Sequence, residues 1–410
     1  MSEWTPIKLG SIVNITNGFA FKSENFLTSL TFNTLPVLKI KNVANGDVHL
    51  KDVQYHLIDS KYDKYTSSKG DILITLTGNH PQALTQVVGA VSKQKFDTLA
   101  YINQRVAKID PISSLAFKDF IYYFLKEKST HDYLASQSSG SANQANISKA
   151  DIENVELLLP PVTEQIAIAS VLSSLDDKID LLHRQNKTLE SMANTLFRQW
   201  FIEESQDEWP EATLNQYVEL NKSSIDKKYN IKEIQYLDTG SLTKGKISKL
   251  QKILLSDAPS RAKRLVNNFD IIISTVRPDQ CHYGICIAPP SNLVVSTGFC
   301  VITSKSLSPF FIYYLITSED MTEYLHSIAE GSTSTYPSLK PEDIGNIPFL
   351  YPSEEKLKNF HDLVGSYWNK IHNNHKKIQT LETLRDTLLP KLMSGDVRVQ
   401  YAEEAIASVA

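Results

Sequence analysis

Residues in the first half of this 410-residue chain return in the same order in the second half. Trp4 with Leu9 and Val13 recurs as Trp209 with Leu214 and Val218, and Asp71-Ile72-Leu73-Ile74-Thr75 recurs as Asp270-Ile271-Ile272-Ile273-Ser274. Phe120-Ile121-Tyr122-Tyr123 returns unchanged as Phe311-Ile312-Tyr313-Tyr314. Gly140-Ser141, Asp151-Ile152 and Pro160-Pro161 are echoed by Gly331-Ser332, Asp343-Ile344 and Pro352, and Thr188-Leu189-Glu190 by Thr380-Leu381-Glu382. The offset is 205 at the tryptophans (209 minus 4) and 192 from Asp151 onward (343 minus 151), so length changes have collected in the front part of each half. A chain of this kind folds as two like units in tandem.

Within each half, short apolar runs punctuated by Gly, Pro and Asn come first, followed by one amphipathic helix near DFIYYFLKE, which reads as an α+β globule. After Pro160-Pro161 and after Pro352 the period becomes helical. Ile168, Leu172, Leu175, Ile179, Leu182, Asn186, Leu189, Ala193, Leu196 and Trp200 form one heptad seam. Phe360, Val364, Tyr367, Ile371, Asn374, Ile378, Leu381, Arg385, Leu388 and Leu392 form the other. Each helix is expected to run roughly 50 to 60 Å at 1.5 Å per residue. Two amphipathic stripes in one chain are best covered by each other, with the polar Asn186, Asn374 and Arg385 fixing the register; the alternative is that each helix packs on its own globule. The expected fold is therefore α+β, with two globular domains of mixed strands and helices separated by two long antiparallel coiled-coil helices in a pseudo-twofold arrangement. The boundaries are 1–160 and 206–352 for the globules, 161–205 and 353–398 for the helices, and 399–410 for a C-terminal tail.

Composition limits what the chain can do. A formal charge of −4 does not announce a nucleic-acid binder, so any such contact has to be local. Between Lys222 and Arg264 stand eleven basic residues against four acids, a local excess of seven. Cys281, Cys286 and Cys300 are too few and too clustered for a disulfide framework and are expected as reduced, buried thiols. Neither a membrane span nor a signal peptide is visible, which points to a cytoplasmic protein.

With the order globule, Pro-bounded helix, globule, helix established, the chain resembles the specificity subunits of Type I restriction-modification systems over nearly its whole length. The strings that carry the resemblance are GDILITLTGN (Gly70 to Asn79) with YINQRVAKI, GSANQANISKADIENVELLLPPVTEQ (Gly140 to Gln165) and TLESMANTLFRQWF (Thr188 to Phe201). The resemblance implies a non-catalytic chain whose globules are target recognition domains, each reading one half of a bipartite double-stranded DNA site. Its helices would set the spacing and dock the partners through seam residues such as Leu189, Leu196, Trp200, Leu381 and Leu388. It implies two methyltransferase (modification) subunits and two ATP-dependent translocase/nuclease (restriction) subunits, with adenine N6 methylation and cleavage in those partners. S-adenosylmethionine, ATP and Mg would sit on the partners, no cofactor or metal on this chain.

The residues themselves agree. No Asp-Pro-Pro-Tyr or Asn-Pro-Pro-Tyr methyltransferase string is present. The stretch Gly240 to Ile247 approaches a phosphate-binding loop but ends on Ile247, which has no hydroxyl for magnesium. Cys281-His282 with Cys286 lacks the second pair a zinc site needs. An enzyme and a pure scaffold are the competing classes; methyl transfer by the chain alone would mark the first, sequence-blind DNA binding the second.

Base edges are read by amides and guanidinium groups, and phosphates are held by Lys, Arg, hydroxyls and backbone amides. In the first globule three loop regions supply them: Asn17, Gly18 and Phe19 with Lys22; Thr77, Asn79, His80 and Gln82; and Ser139, Ser141, Asn143 and Gln144, with Arg105 as a further candidate. In the second they are Lys244 and Lys246; Arg261, Lys263, Arg264 and Arg277; and Ser332, Thr333, Tyr336 and Lys340.

Overall fold

In the computed structural model, residues 4–44, 46–79, 88–141, 144–226, 229–332 and 336–399 are described, residues 141 and 144 by their backbone alone. The chain divides into two compact units, Met1–Asp180 with Lys377–Ala410, and Leu181–Lys376. Each long helix therefore gives one half to each unit. Residues 400–410, expected as a tail, lie outside the described residues.

In the first unit the continuous apolar run Ile72–Thr75 is buried along its whole length and becomes an inner strand. The antiparallel sheet around it has the order Val13–Asn17, Val106–Pro111, Ile72–Thr75, Val91–Lys93. A second sheet runs Gln54–Leu57, Thr34–Leu38, Ala100–Ile102, Thr66–Ser67, with the middle pair parallel. The second unit repeats both orders. Val218–Leu220, Phe299–Ser304, Ile271–Ser274 and Tyr283–Ile285 form one sheet, and Gln251–Leu254, Glu233–Leu237, Leu293–Ser296 and Ala262–Leu265 the other, again with a parallel middle pair. Each domain is closed by a strand pair joining its start to the entry of its long helix: Thr5–Lys8 with Glu156–Leu159, and Glu211–Thr213 with Pro348–Leu350.

One expectation needs correction. The helix expected near DFIYYFLKE is two helices, Lys118–Lys126 and Lys128–Ser136, and the repeat copies the break as Pro309–Thr317 and Glu319–Glu330. The chain turns at residues that cap the next helix. The Glu127 carboxylate accepts from the Ser129 and Thr130 amides, and the Ser318 hydroxyl accepts from the Met321 amide.

The long helices run Val162–Arg198, 37 residues, and Glu354–Ser394, 41 residues. In the second unit Asn374 Nδ2 donates to Asn186 Oδ1 at 2.8 Å, while Phe197 and Trp200 meet Phe360 at 6.1 and 6.2 Å, so partners rise along one helix as they fall along the other. The pairing is antiparallel. Both asparagines are buried, and a buried amide pair in an apolar seam penalises any slipped register in which it would lose its partner. Their repeat counterparts, Ile378 (186 plus 192) and Leu182 (374 minus 192), are apolar, so this bond marks one register out of the two-fold pattern.

The junction between each globule and its helices is built on one plan with different chemistry. Trp4 Nε1 donates to Glu164 at 3.2 Å, and in the second copy Lys356 lies 5.4 Å over the Trp209 ring. In the first unit Tyr123 donates to Asp176 Oδ2 at 2.9 Å, and Arg385 Nη1 pairs with Asp176 Oδ1 at 2.9 Å. The counterparts of Asp176 and Arg385 in the second unit are Trp368 and Ala193, which belong to its apolar core.

A second contrast gives a pH test. Asp71 accepts from Lys118 Nζ at 2.7 Å, whereas Pro309 stands where the repeat would place that lysine. Burial pushes the Asp71 carboxyl up, but the Lys118 bond and the Ser68 amide outweigh it and hold it below the usual carboxylate range. At Asp270 burial wins and the carboxyl is raised. Asp71 thus contributes stability above its ordinary pKa that is lost on acidification, while ionised Asp270 costs stability as pH rises through its raised pKa. Asp71→Asn is expected to cost about 1 kcal/mol at pH 7, the lysine being partly solvated. Asp270→Asn should hold or raise stability. Thermal unfolding between pH 4 and 8 checks this: equal losses in the two variants would contradict it.

Candidate nucleic-acid interface

In the first domain the loops singled out from the sequence are tied together by backbone hydrogen bonds. Gly18 N donates to Val106 O at 2.9 Å, Phe19 N to Ile102 O at 3.0 Å and Gln104 N to Phe19 O at 2.9 Å, which fastens the first loop to the turn holding Arg105. The Arg105 carbonyl accepts from Leu76 N at 2.9 Å, and Leu76 O accepts from Ile147 N at 2.9 Å. The hairpin of Ser139–Ser141 and Gln144–Asn146 then pairs with Thr77–Gly78 in a small three-stranded sheet. Asn17, Arg105, Asn79 and Ser139 consequently share one edge of the domain. Asn17, Arg105 and Ser139 are exposed there.

The same edge recurs in the second domain. Thr275 N donates to Gly298 O at 2.9 Å as Leu76 does to Arg105, and Leu339 N donates to Thr275 O at 2.7 Å as Ile147 does to Leu76. Val276 bridges Ser338, and Thr297 N donates to Arg261 O at 2.8 Å, bringing Arg261 to this edge. Ser274 N donates to His282 O and Lys244 N to Cys281 O, each at 2.8 Å, so the Lys244–Lys246 hairpin flanks the other side. Arg261 lines a cleft of about 310 Å³ with Asp238, Thr239, Gln251 and Ser296. Arg277 is exposed, with its guanidinium 4.6 Å from the Tyr336 ring centroid.

Other expected contacts have different jobs. Phe19 packs 4.8 Å from Tyr62 and 5.1 Å from both Phe21 and Tyr65, so its ring belongs to an aromatic cluster. A Cβ on Gly18 would meet the Asn103 carbonyl oxygen at 2.3 Å, so this glycine is there for close strand approach. Thr77 is buried and its hydroxyl donates to Asn146 Oδ1 at 2.7 Å. Arg264 is half-buried, donating to Ser224 Oγ at 3.4 Å, while Lys263 is exposed on the same strand. The basic stretch is thus divided among a hairpin, a strand and a loop. Lys246 also faces the long helix: burial pushes the Glu190 carboxyl up, and the Lys246 charge pulls the other way. Lys22 is exposed 3.8 Å from Glu24, Lys340 precedes the Pro341–Gly345 helix, and the Ser332 hydroxyl accepts from Ser338 N at 3.3 Å. His80, Gln82, Asn143 and Thr333 lie outside the described residues, and Ser141 and Gln144 have only their backbone described. Gln104, exposed between Phe19 and Arg105, escaped the sequence reading although it sits inside the quoted string YINQRVAKI.

The helix residues expected to dock partners are occupied within the chain. Leu381 and Leu388 are buried in the seam, and Leu189, Leu196 and Trp200 pack on the core of the second unit. Any partner on these helices meets their outer faces, where Leu181, Met192 and Leu363 are exposed. Cys286 and Cys300 are buried thiols pushed up to about 12 by burial, but Cys281 is half-exposed, against the expectation. Gly240 to Ile247 forms a turn and hairpin, without the helix a phosphate loop leads into. Among the described residues no cluster of three His, Cys, Asp or Glu is placed to hold a metal ion, and no helix is long and apolar enough to cross a membrane.

The profile of the family described as Type I restriction modification DNA specificity domain matches residues 1–191. The chain is 29% identical over 439 aligned positions to the Type I restriction enzyme MjaIX specificity subunit of Methanocaldococcus jannaschii, covering 97% of each chain. Over nearly its whole length the chain is thus similar to a Type I specificity subunit. Among other relatives, the putative type I restriction enzyme MjaX specificity subunit of the same organism is 23% identical, with 89% of this chain and 88% of the relative covered. The crystal structure of the Type I restriction-modification S subunit from M. genitalium shares the fold, with a TM-score of 0.60, 18% identity and 96% of both chains covered. These relatives are named as specificity subunits, and in this chain the recurring edge is the part of each domain that carries exposed amide and guanidinium groups.

Proposed function

We propose that the chain is a specificity subunit, that each of its domains reads one half of a bipartite double-stranded DNA site through that edge, and that the paired helices fix the gap between the halves. The helices' outer faces carry two modification subunits, which supply adenine N6 methylation from S-adenosylmethionine. Two restriction subunits, drawing on ATP and Mg, supply translocation and cleavage in the cytoplasm. The observation that supports modular reading is the hydrogen-bond pattern Arg105–Leu76–Ile147, repeated as Gly298–Thr275–Leu339. One scaffold is used twice, yet the residue types on it differ, as two different half-sites require.

Charge provides the test. Lys244, Lys246 and Arg261 are exposed and flank the second edge. Replacing each by Ala should flatten the slope of log affinity against log salt by about 0.9 for each phosphate that is no longer neutralised. Arg264 is left in place because its removal would also disturb packing against Ser224. Binding of duplex DNA by the complex with modification subunits, titrated from low to high salt, measures the slope. An unchanged slope in the triple variant would remove this edge from the DNA.

A further inference from the structure

Thr275, Val276 and Arg277 cross the segment Pro337–Leu339 as Leu76, Thr77 and Gly78 cross Ala145–Ile147, with Arg277 N donating to Pro337 O at 2.9 Å. Arg277 thus stands where the first domain has glycine. Its backbone is left-handed, with φ 50° and ψ 69°, a conformation glycine enters freely and a side-chain-bearing residue enters only under strain. The Pro337 carbonyl holds its amide, its own carbonyl accepts from Gln280 N at 3.0 Å, and the next residue is the buried Pro278. A glycine would meet all three constraints without strain, so the fold itself does not call for arginine here. The side chain is exposed, lies over the Tyr336 ring at 4.6 Å and makes no ion pair among the described residues. Stacking on an aromatic face fixes the guanidinium plane and leaves its donor fork open at the edge.

We propose that Arg277 reads a guanine in the half-site recognised by the second domain, donating to O6 and N7 in the major groove, and that Tyr336 is the positioning residue that holds the guanidinium plane. This rests on the reading that each domain recognises one half-site. A planar fork matches those two acceptors, and a bidentate pair of this kind discriminates against the wrong base by roughly 5- to 150-fold. A phosphate contact would need neither the strained backbone nor the stacked ring.

The test uses the subunit with its modification subunits in a methylation-free host, mapping N6-methyladenine genome-wide for wild type, Arg277→Gly, Arg277→Lys, Tyr336→Ala and Tyr336→Phe. Arg277→Gly and Arg277→Lys should lose preference for G at one position of one half-site by roughly 5- to 150-fold, with every other position retained. Tyr336→Ala should relax that same position, and Tyr336→Phe should not, since the ring face remains. Because glycine relieves the strain, the purified Arg277→Gly subunit should keep or raise its Tm. A motif unchanged in Arg277→Gly, a uniform weakening at all positions, or a Tm several degrees lower would each overturn the proposal. A wild-type map with no two-part motif would instead overturn the half-site reading beneath it.

Discussion

Replacing Arg385 by Met is expected to lower the stability of the first unit by about 3 kcal/mol at neutral pH. The Asp176 and Arg385 side chains are only 15% and 18% exposed, so the variant leaves a carboxylate in a largely dry site. Burial pushes Asp176 up, yet Lys126, Arg385 and Tyr123 together hold it below the usual carboxylate range. Removing Arg385 leaves Lys126 at 3.5 Å and the Tyr123 hydroxyl, which offset only part of that burial. The loss translates to roughly 6 to 12 °C in the Tm of a unit this size. The sign with pH follows from the depressed carboxyl: its contribution is full above the ordinary Asp pKa and fades on acidification. The gap between variant and wild type should therefore be widest near pH 7 and narrow toward pH 4. Asp176→Asn should cost less, because Arg385 keeps Asp386 at 2.8 Å. Combining Asp176→Asn with Arg385→Met should recover much of the loss, since no buried charge then lacks a partner. Equal losses in the two single variants, or a deficit that ignores pH, would show that the pair acts by packing alone.

That pair marks the limit of what the sequence disclosed. Arg385 was visible as a polar interruption of an apolar seam, but its partner was not. Asp176 lies beside Asp177 in a stretch that reads as an ordinary solvated helix face, and only folding brings Tyr123, Lys126 and Arg385 around it. Asn186 and Asn374 were legible because both break the heptad and a buried amide in a seam needs another amide. The domain repeat was legible for a similar reason: Asp71 to Thr75 and Asp270 to Ser274 are inner strands, where packing on both faces leaves little freedom to drift.

The site was legible as a set of loops and not as a set of contacts. Spacing placed Asn17, Thr77 and Ser139 at strand ends, and the structure joins those ends into one edge. Whether a loop residue faces outward depends on neighbours distant in sequence. Phe19 is taken by Tyr62 and Tyr65, Thr77 by Asn146, and Arg264 by Ser224. Leu381 and Leu388 misled for the complementary reason. An apolar stripe on a helix signals that something covers it, and here the chain covers its own.

The most direct test of two-part reading is an exchange of one domain. Leu9 N donates to Val155 O at 2.8 Å, and the strand pair outside this bond, Thr5–Lys8 with Glu156–Leu159, ties the domain to its helix. Replacing residues 9–155 by the equivalent segment of a relative of different specificity therefore moves the whole first edge and leaves the closing strands, the Trp4–Glu164 bond and both helices native. Genome-wide mapping of N6-methyladenine in a methylation-free host carrying the hybrid and its modification subunits should return a motif with one half replaced, the other half intact and the gap unchanged. A hybrid that methylates with both halves altered, or with the original motif, would contradict the account.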